Sequence, residues 1–118
     1  MRGTRLFRAI GSVLLLTAAP AACRPTSPVF TERVWQVAAS SGVEPGMLYV
    51  FLGDGTLLIA SAHGTPSLGR WESAGKGIVL VEEGLRHPAD ILASTRDTFS
   101  IRVHSPGEPL DITFVPAR

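Results

Sequence analysis

From Val29 onward, the apolar residues of the chain occur in short runs separated by clusters rich in Gly, Pro, Asp and Ser. No stretch of this part keeps apolar residues at helical spacing over several turns, whereas short runs bounded by turn-forming residues are typical of strands. The pattern therefore predicts an all-β domain of about eight strands, over residues 29–39, 47–52, 56–62, 68–73, 78–83, 89–94, 98–104 and 110–115.

The last two of these strands show the clearest alternation of apolar and polar positions. Phe99, Ile101 and Val103 alternate with polar residues, and the stretch 110–115 alternates in the same way. Because successive side chains of a strand point to opposite faces, one face of this hairpin is predicted to be core and the other to face water.

Short turn-forming segments connect the predicted strands, which favours antiparallel neighbours over helical crossovers. Gly53-Asp54-Gly55 is the clearest hairpin turn, and residues 74–77, 95–97 and 105–109 are further candidates. A meander of this kind protects its two edges by closing on itself. We therefore predict a single small antiparallel up-and-down β-barrel, with a two-sheet β-sandwich as the alternative.

Residues 1–22 have the three parts of an export signal. Arg2, Arg5 and Arg8 supply a positive start, residues 9–19 are apolar, and small residues follow. The apolar stretch is much shorter than the roughly 20 residues that span a bilayer. We expect a helical signal segment, which is removed on export.

Cys23 is the only cysteine of the chain and directly follows this segment. The run Pro20-Ala21-Ala22-Cys23 resembles the bacterial lipobox, which implies cleavage before Cys23 and attachment of acyl chains such as palmitate to it. Residues 23–28 then form a short tether, since their prolines resist helix formation. The residue after the cysteine, Arg24, implies the outer membrane, with the domain facing the periplasm. The alternative is ordinary signal cleavage, which would give a soluble secreted or periplasmic protein.

Four segments of the domain resemble a known group. They are Phe-Leu-Gly-Asp-Gly-Thr-Leu at 51–57, Gly-Arg-Trp-Glu at 69–72, Ile-Val-Leu at 78–80 and Asp-Thr-Phe-Ser-Ile at 97–101. Together they are similar to the small lipocalin-like domains of bacterial lipoproteins, over about residues 35–114. The resemblance implies one lipocalin-like β-barrel domain, which we place at 29–118.

Charge and motifs give no sign of a catalytic or nucleic-acid-binding site. Three of the arginines lie in the export segment, so the domain itself is slightly acidic and lacks the clustered Lys and Arg that bind phosphates. Ser67 lacks the Gly-x-Ser-x-Gly spacing of a nucleophile elbow, and Gly75-Lys76-Gly77 is predicted to be a turn. We expect no catalytic residue, no cofactor, no nucleic-acid partner and no enzymatic activity.

The histidines and acidic pairs do not form a predicted metal or acid–base site. His63, His87 and His104 lie far apart in the sequence, whereas zinc sites usually contain a close ligand pair. Glu82 and Glu83 are neighbours, so in a strand they point to opposite faces. We predict no metal site.

The aromatic residues of the predicted strands either fill the barrel or line a pocket for an apolar guest. We favour a filled core, because an eight-stranded barrel is just wide enough for its own side chains or one small ligand. These core-lining or ligand-contacting candidates are Trp35, Tyr49, Phe51, Trp71, Phe99 and Phe114.

The function expected from these features is that of a membrane-anchored envelope lipoprotein whose barrel is a non-catalytic binding module. The membrane is its first partner, through the lipid on Cys23. An envelope protein would be bound through an edge strand or through loops, with residues 61–68 and 84–88 as the expected contact segments. One alternative is a carrier of a small hydrophobic ligand, and another is an inhibitor of an envelope hydrolase.

Overall fold

A computed structural model describes residues 27–61 and 63–118, and this part of the chain is all-β. The expected signal segment, Cys23 and the first part of the tether lie outside the described residues. Eight strands form, as predicted, although some of their ends differ. They are β1 Val34–Ser40, β2 Leu48–Phe51, β3 Thr56–Ala60, β4 Ser67–Ala74, β5 Gly77–Glu82, β6 Leu85–Ser94, β7 Phe99–Val103 and β8 Leu110–Pro116.

The strands form one closed antiparallel barrel in which each strand pairs with its neighbours in the chain. The barrel closes between β1 and β8, where Trp35 lies opposite Pro116 and Val37 lies opposite Phe114. This closure confirms the predicted up-and-down barrel over the two-sheet sandwich. It also corrects one expectation: the described barrel has no free edge strand to which a partner could add.

The two ends of the barrel differ in their loops. At the near end, β1 begins and β8 ends, so both termini of the domain lie there, together with the turns at 52–55, 75–76 and 95–98. The far end carries the connections 41–47, 61–66, 83–84 and 104–109.

The predicted hairpin at Gly53-Asp54-Gly55 is confirmed. Gly55 has a φ of 95°, which favours glycine because a Cβ atom would be strained there. The Asp54 carboxylate accepts a hydrogen bond from the Thr56 amide at 2.9 Å. A side chain that bonds the backbone two residues ahead stabilises a turn of this kind.

Strand β6 begins at Leu85, four positions before the predicted start at residue 89. A tight turn at Glu83-Gly84, with φ angles of 52° and 81°, joins it to β5. Pro88 lies within the strand opposite Val79, and its carbonyl accepts the His104 amide at 2.8 Å. The segment 84–88 is therefore mostly strand, and the expectation that it forms a contact loop is wrong.

Residues 29–33 do not belong to the first strand, which corrects the predicted range 29–39. The chain turns back at this point, because both the amide and the hydroxyl of Thr31 donate to the Pro28 carbonyl, at 3.1 and 2.8 Å. Glu32, with a φ of 61°, then reverses the chain into β1. The turn inserts Phe30 into the near end of the barrel, where its side chain is buried.

Phe30 packs against aromatic rings from three strands. Its ring stacks on Phe99 with a centroid distance of 4.3 Å and meets Phe51 and Trp71 edge-on at 5.4 and 5.3 Å. The Phe30 carbonyl accepts the indole N–H of Trp35 at 2.8 Å. Side chain and backbone of this residue together close the near end.

We expect Phe30→Ala to lower the free energy of unfolding by about 3–5 kcal/mol, as is usual when a buried phenylalanine is truncated in a core. The measurement is denaturant unfolding of the full chain. The matched control is Val29→Ala, since Val29 is the adjacent residue and its side chain is 44% exposed. Equal losses for the two variants would show that Phe30 does not plug the barrel.

Candidate functional site: the outer apolar face

The six aromatic residues singled out from the sequence lie together inside the barrel, and all are buried. Tyr49 packs on Phe114 at a centroid distance of 4.9 Å, and Phe51 contacts Trp71 and Phe99 at 6.1 and 5.4 Å. None of the three depressions found on the described residues is lined by an aromatic ring. These side chains therefore line the core and occupy its space.

The two tryptophans of the core each have a polar indole N–H group, and each of these groups is hydrogen-bonded to a backbone carbonyl. The Trp35 indole N–H donates to the Phe30 carbonyl, and that of Trp71 donates to the Leu52 carbonyl, each at 2.8 Å. Buried indole groups are usually paired in this way, since an unpaired N–H costs free energy. Both bonds lie at the near end and fix the chain around the Phe30 plug.

Tyr49 is the core group whose titration departs most from its usual range. Burial of the phenol, together with the negative charge of Glu82, raises the pKa of Tyr49 to about 12. The folded barrel therefore holds the phenol in its neutral form. Tyr49 is a core side chain, packed against the rings of Phe51 and Phe114.

The raised pKa of Tyr49 predicts alkaline destabilisation. The folded-state value lies above the ordinary value of 10, so the contribution to stability is complete below pH 10 and is lost as the pH rises toward 12. We expect Tyr49→Phe to flatten the fall in unfolding free energy over this window, measured by urea unfolding at several pH values. An identical alkaline profile in the two proteins would contradict the buried, neutral phenol.

The most unusual surface of the described chain lies on the outside of β1 to β4. Register places Val34, Val50, Leu58 and Leu68 in one row across the four strands, each pointing away from the core. We call the following set the outer apolar face: Val34, Leu48, Val50, Leu58, Ala60, Pro66 and Leu68.

This face is uncharged throughout and partly open to solvent. Leu68 is 72% exposed and Val34 is 47% exposed. Most of the set lines a shallow groove of about 340 Å³ on the barrel wall. Contiguous apolar surface on a water-soluble domain commonly marks an interaction site.

Sequence reasoning missed this face, although a signal was present. Strand β2 reads Leu-Tyr-Val-Phe, and β3 reads Thr-Leu-Leu-Ile-Ala. Apart from Thr56 they are apolar on both faces, whereas β7 and β8 alternate. A strand that is apolar on both faces is covered on both sides or carries an exposed apolar surface. Here the inner face is covered by the core and the outer face is not.

The opposite wall of the barrel carries ion pairs instead. Arg102 on β7 binds Asp111 on β8 through two hydrogen bonds of 2.8 and 3.1 Å, which lower the pKa of the Asp111 carboxyl. Arg86 and Glu72 face each other across β5 at 2.5 Å. The ion pairs thus lie on strands β4 to β8, away from the row that runs from Val34 to Leu68.

The two ends also differ in charge. The far-end loops carry Glu44, Glu83 and Glu108 and contain no lysine or arginine. The near end carries basic residues in excess of acidic ones: Arg33, Lys76, Arg96 and Arg118 against Glu32, Asp54 and Asp97. The far end is therefore acidic, whereas the near end carries charges of both signs.

A small groove lies at the far end, next to the expected contact loop. It has a volume of about 160 Å³ and is lined by residues of two loops, Glu44 to Met47 on one side and Ser61 with His63 on the other. Of the predicted segment 61–68, residues 61–66 belong to this rim, whereas Ser67 and Leu68 begin strand β4. The loop part of that expectation thus lies where a partner could reach it.

The histidines His87 and His104, which were considered as metal ligands, contact different partners. His104 Nε2 binds Asp90 at 2.8 Å, and His87 Nδ1 lies 3.4 Å from the Ser105 hydroxyl. Within residues 27–61 and 63–118, no three His, Cys, Asp or Glu side chains come together as metal ligands, and no helix is long and apolar enough to cross a membrane. Gly75-Lys76 is a two-residue hairpin turn between Ala74 and Gly77, as predicted.

Comparison of the chain with protein-family models, curated proteins and solved structures finds no match. The resemblance to lipocalin-like domains therefore stays a prediction. Any functional argument depends on the chain's own surfaces: a filled interior, an outer apolar face, and two ends of different charge.

Proposed function

We propose that this chain is a lipid-anchored protein of the bacterial cell envelope, with Cys23 acylated and the barrel acting as a non-catalytic interaction module. The observation that carries the proposal is the filled interior, because rings from five strands and the N-terminal segment contact one another there. A barrel without interior space binds its partners on its outside. The features available for contact are the outer apolar face and the far-end rim.

The carrier alternative receives less support from the same packing. A ligand pocket large enough for a drug-sized guest measures about 300–1,000 Å³ and encloses most of the ligand. The aromatic side chains that would line such a pocket are packed against each other at centroid distances of 4.3 to 6.3 Å. Entry of a ligand would require the Phe30 plug and its neighbours to move.

The anchor fits the position of the tether. The described chain begins at Ser27, four residues after Cys23, and the Phe30 plug follows directly. Lipidation at two or more chains holds a protein stably on a membrane, since each buried methylene contributes about 0.8 kcal/mol. We place the protein on the outer membrane, with the barrel in the periplasm.

We expect intact-mass analysis of the membrane-extracted protein to give a chain that starts at Cys23 and carries added acyl mass. Cys23→Ser removes the acceptor thiol and is expected to leave the protein in the soluble fraction. The control is the double variant Cys23→Ser, Ser100→Cys. It restores a thiol to the chain at another position and is expected to stay soluble, because the anchor is not restored. A wild-type mass without acyl chains would refute the anchor.

The interaction role is tested by photo-crosslinking in living cells, with a photoreactive residue at His63 on the far-end rim. We expect a discrete crosslinked product at this position that disappears when Cys23→Ser removes the anchor. The same residue placed at Ser100, on the polar wall, is the control and should give none. Absence of a product at His63 in anchored protein would argue against the far-end rim as a contact site.

A further inference from the structure

We propose that the outer apolar face rests on the bilayer that holds Cys23, so that the barrel lies on its β1–β4 side. The inference depends on the acylation of Cys23 proposed above. The occupant of the face is the headgroup and upper acyl region of the phospholipids around the anchor.

The size and composition of the face suit a lipid surface. The row from Val34 to Leu68 crosses three strand spacings of about 4.8 Å, so it is roughly 14 Å wide. The residues of the outer apolar face are all aliphatic or proline, and Leu68 is the most exposed of them, at 72%. Apolar side chains of a peripheral protein enter the boundary between headgroups and acyl chains by about 5–10 Å, which a single row of Leu and Val can do.

The length of the tether keeps this face next to the membrane. Three residues lie between Cys23 and Ser27, and each of the four steps of an extended chain covers at most about 3.6 Å, so Ser27 stays within about 14 Å of the anchor point. Val34, the first residue of β1, belongs to the near end. The bilayer is therefore the nearest apolar partner of the face at all times, whatever the protein concentration.

Two basic residues beside the outer apolar face favour the same orientation, with this face toward the membrane. Arg70 lies two positions beyond Leu68 on β4, and Arg118 follows the residue that binds the Val34 carbonyl. Basic residues near an anionic membrane surface contribute about 1 kcal/mol each. The far-end carboxylates Glu44, Glu83 and Glu108 do not belong to the outer apolar face, whose far-end part includes Ala60, Pro66 and Leu68.

A second copy of the chain is the other possible cover for the face, and the residues favour it less. Stable protein interfaces are rich in Tyr, Trp, Phe, Met and Arg at their centres, whereas this row contains Val and Leu only. The wall of a small barrel also curves, so two walls meet along a narrow strip. Fluid lipid adapts to a curved surface without that loss of contact.

The test uses the acylated protein, extracted from membranes and reconstituted in vesicles of phosphatidylethanolamine and phosphatidylglycerol. Acylation occupies the thiol of Cys23, so an engineered cysteine is the only free thiol and accepts an environment-sensitive fluorophore. The probe variant is Leu58→Cys at the centre of the outer apolar face. The matched control is Leu92→Cys, a leucine on β6 that is 47% exposed away from this face.

We expect the fluorophore at position 58 to show blue-shifted emission that is quenched when spin-labelled lipid is added to the vesicles. The fluorophore at position 92 should show neither the blue shift nor the quenching by spin-labelled lipid. Adding Leu68→Glu to the Leu58→Cys variant should abolish the blue shift. Adding Leu92→Glu to the same variant should leave the blue shift unchanged.

Three results would overturn the inference. Equal, weak quenching at positions 58 and 92 in protein whose mass includes acyl chains would remove the lipid contact and leave the anchor intact. A blue shift at position 58 that follows protein density and not the lipid quencher would assign the face to a second copy. An unacylated mass would remove the proposed function and this inference together.

Discussion

The pairing of β1 with β8 joins the two ends of the sheet, and the remaining features of the domain depend on that closure. An eight-stranded barrel encloses a space that its own side chains can fill, and here the rings of both tryptophans, Tyr49 and four phenylalanines occupy it. The ring of Phe30 completes the packing from outside the sheet. Because backbone hydrogen bonds and interior volume are used within the fold, the outer surface is left for contact with other molecules.

That outer surface is divided in two directions. Around the barrel, the uncharged outer apolar face on β1 to β4 lies away from the wall that contains Arg102 and Asp111. Along the barrel, the near end carries charges of both signs, whereas the far-end loops carry carboxylates and no lysine or arginine. A domain fixed to a bilayer by a short tether would turn the outer apolar face toward the lipid and the ion-paired wall toward the periplasm.

Most of the fold could be predicted from the sequence, because alternation in β7 and β8 and glycine in the turns are local signals. The position of Phe30 could not, since its burial depends on a turn at Pro28–Thr31 and on rings that come together only in the closed barrel. Strand β6 begins four residues earlier than predicted, because a proline within a strand loses only its N–H donor and the Pro88 carbonyl is still paired. The six aromatic residues singled out from the sequence lie together in the core, and their mutual packing is visible only in three dimensions.

The outer apolar face was missed for a related reason. Apolar residues on both faces of β2 and β3 predict strands, but the sequence alone does not say which face of the barrel each residue occupies. Once register is known, Val50 and Leu58 fall on the outside. In a small barrel, a strand without alternation of apolar and polar residues therefore indicates an apolar patch on the outer surface.

The filled interior is tested most directly by NMR of the detergent-extracted protein, through nuclear Overhauser contacts between aromatic rings. If the interior is filled as described, the Phe30 ring will show strong contacts with the rings of Phe99, Phe51 and Trp71. The contradicting result is a Phe30 ring without these contacts, together with contacts from the core rings to the acyl protons of a bound lipid.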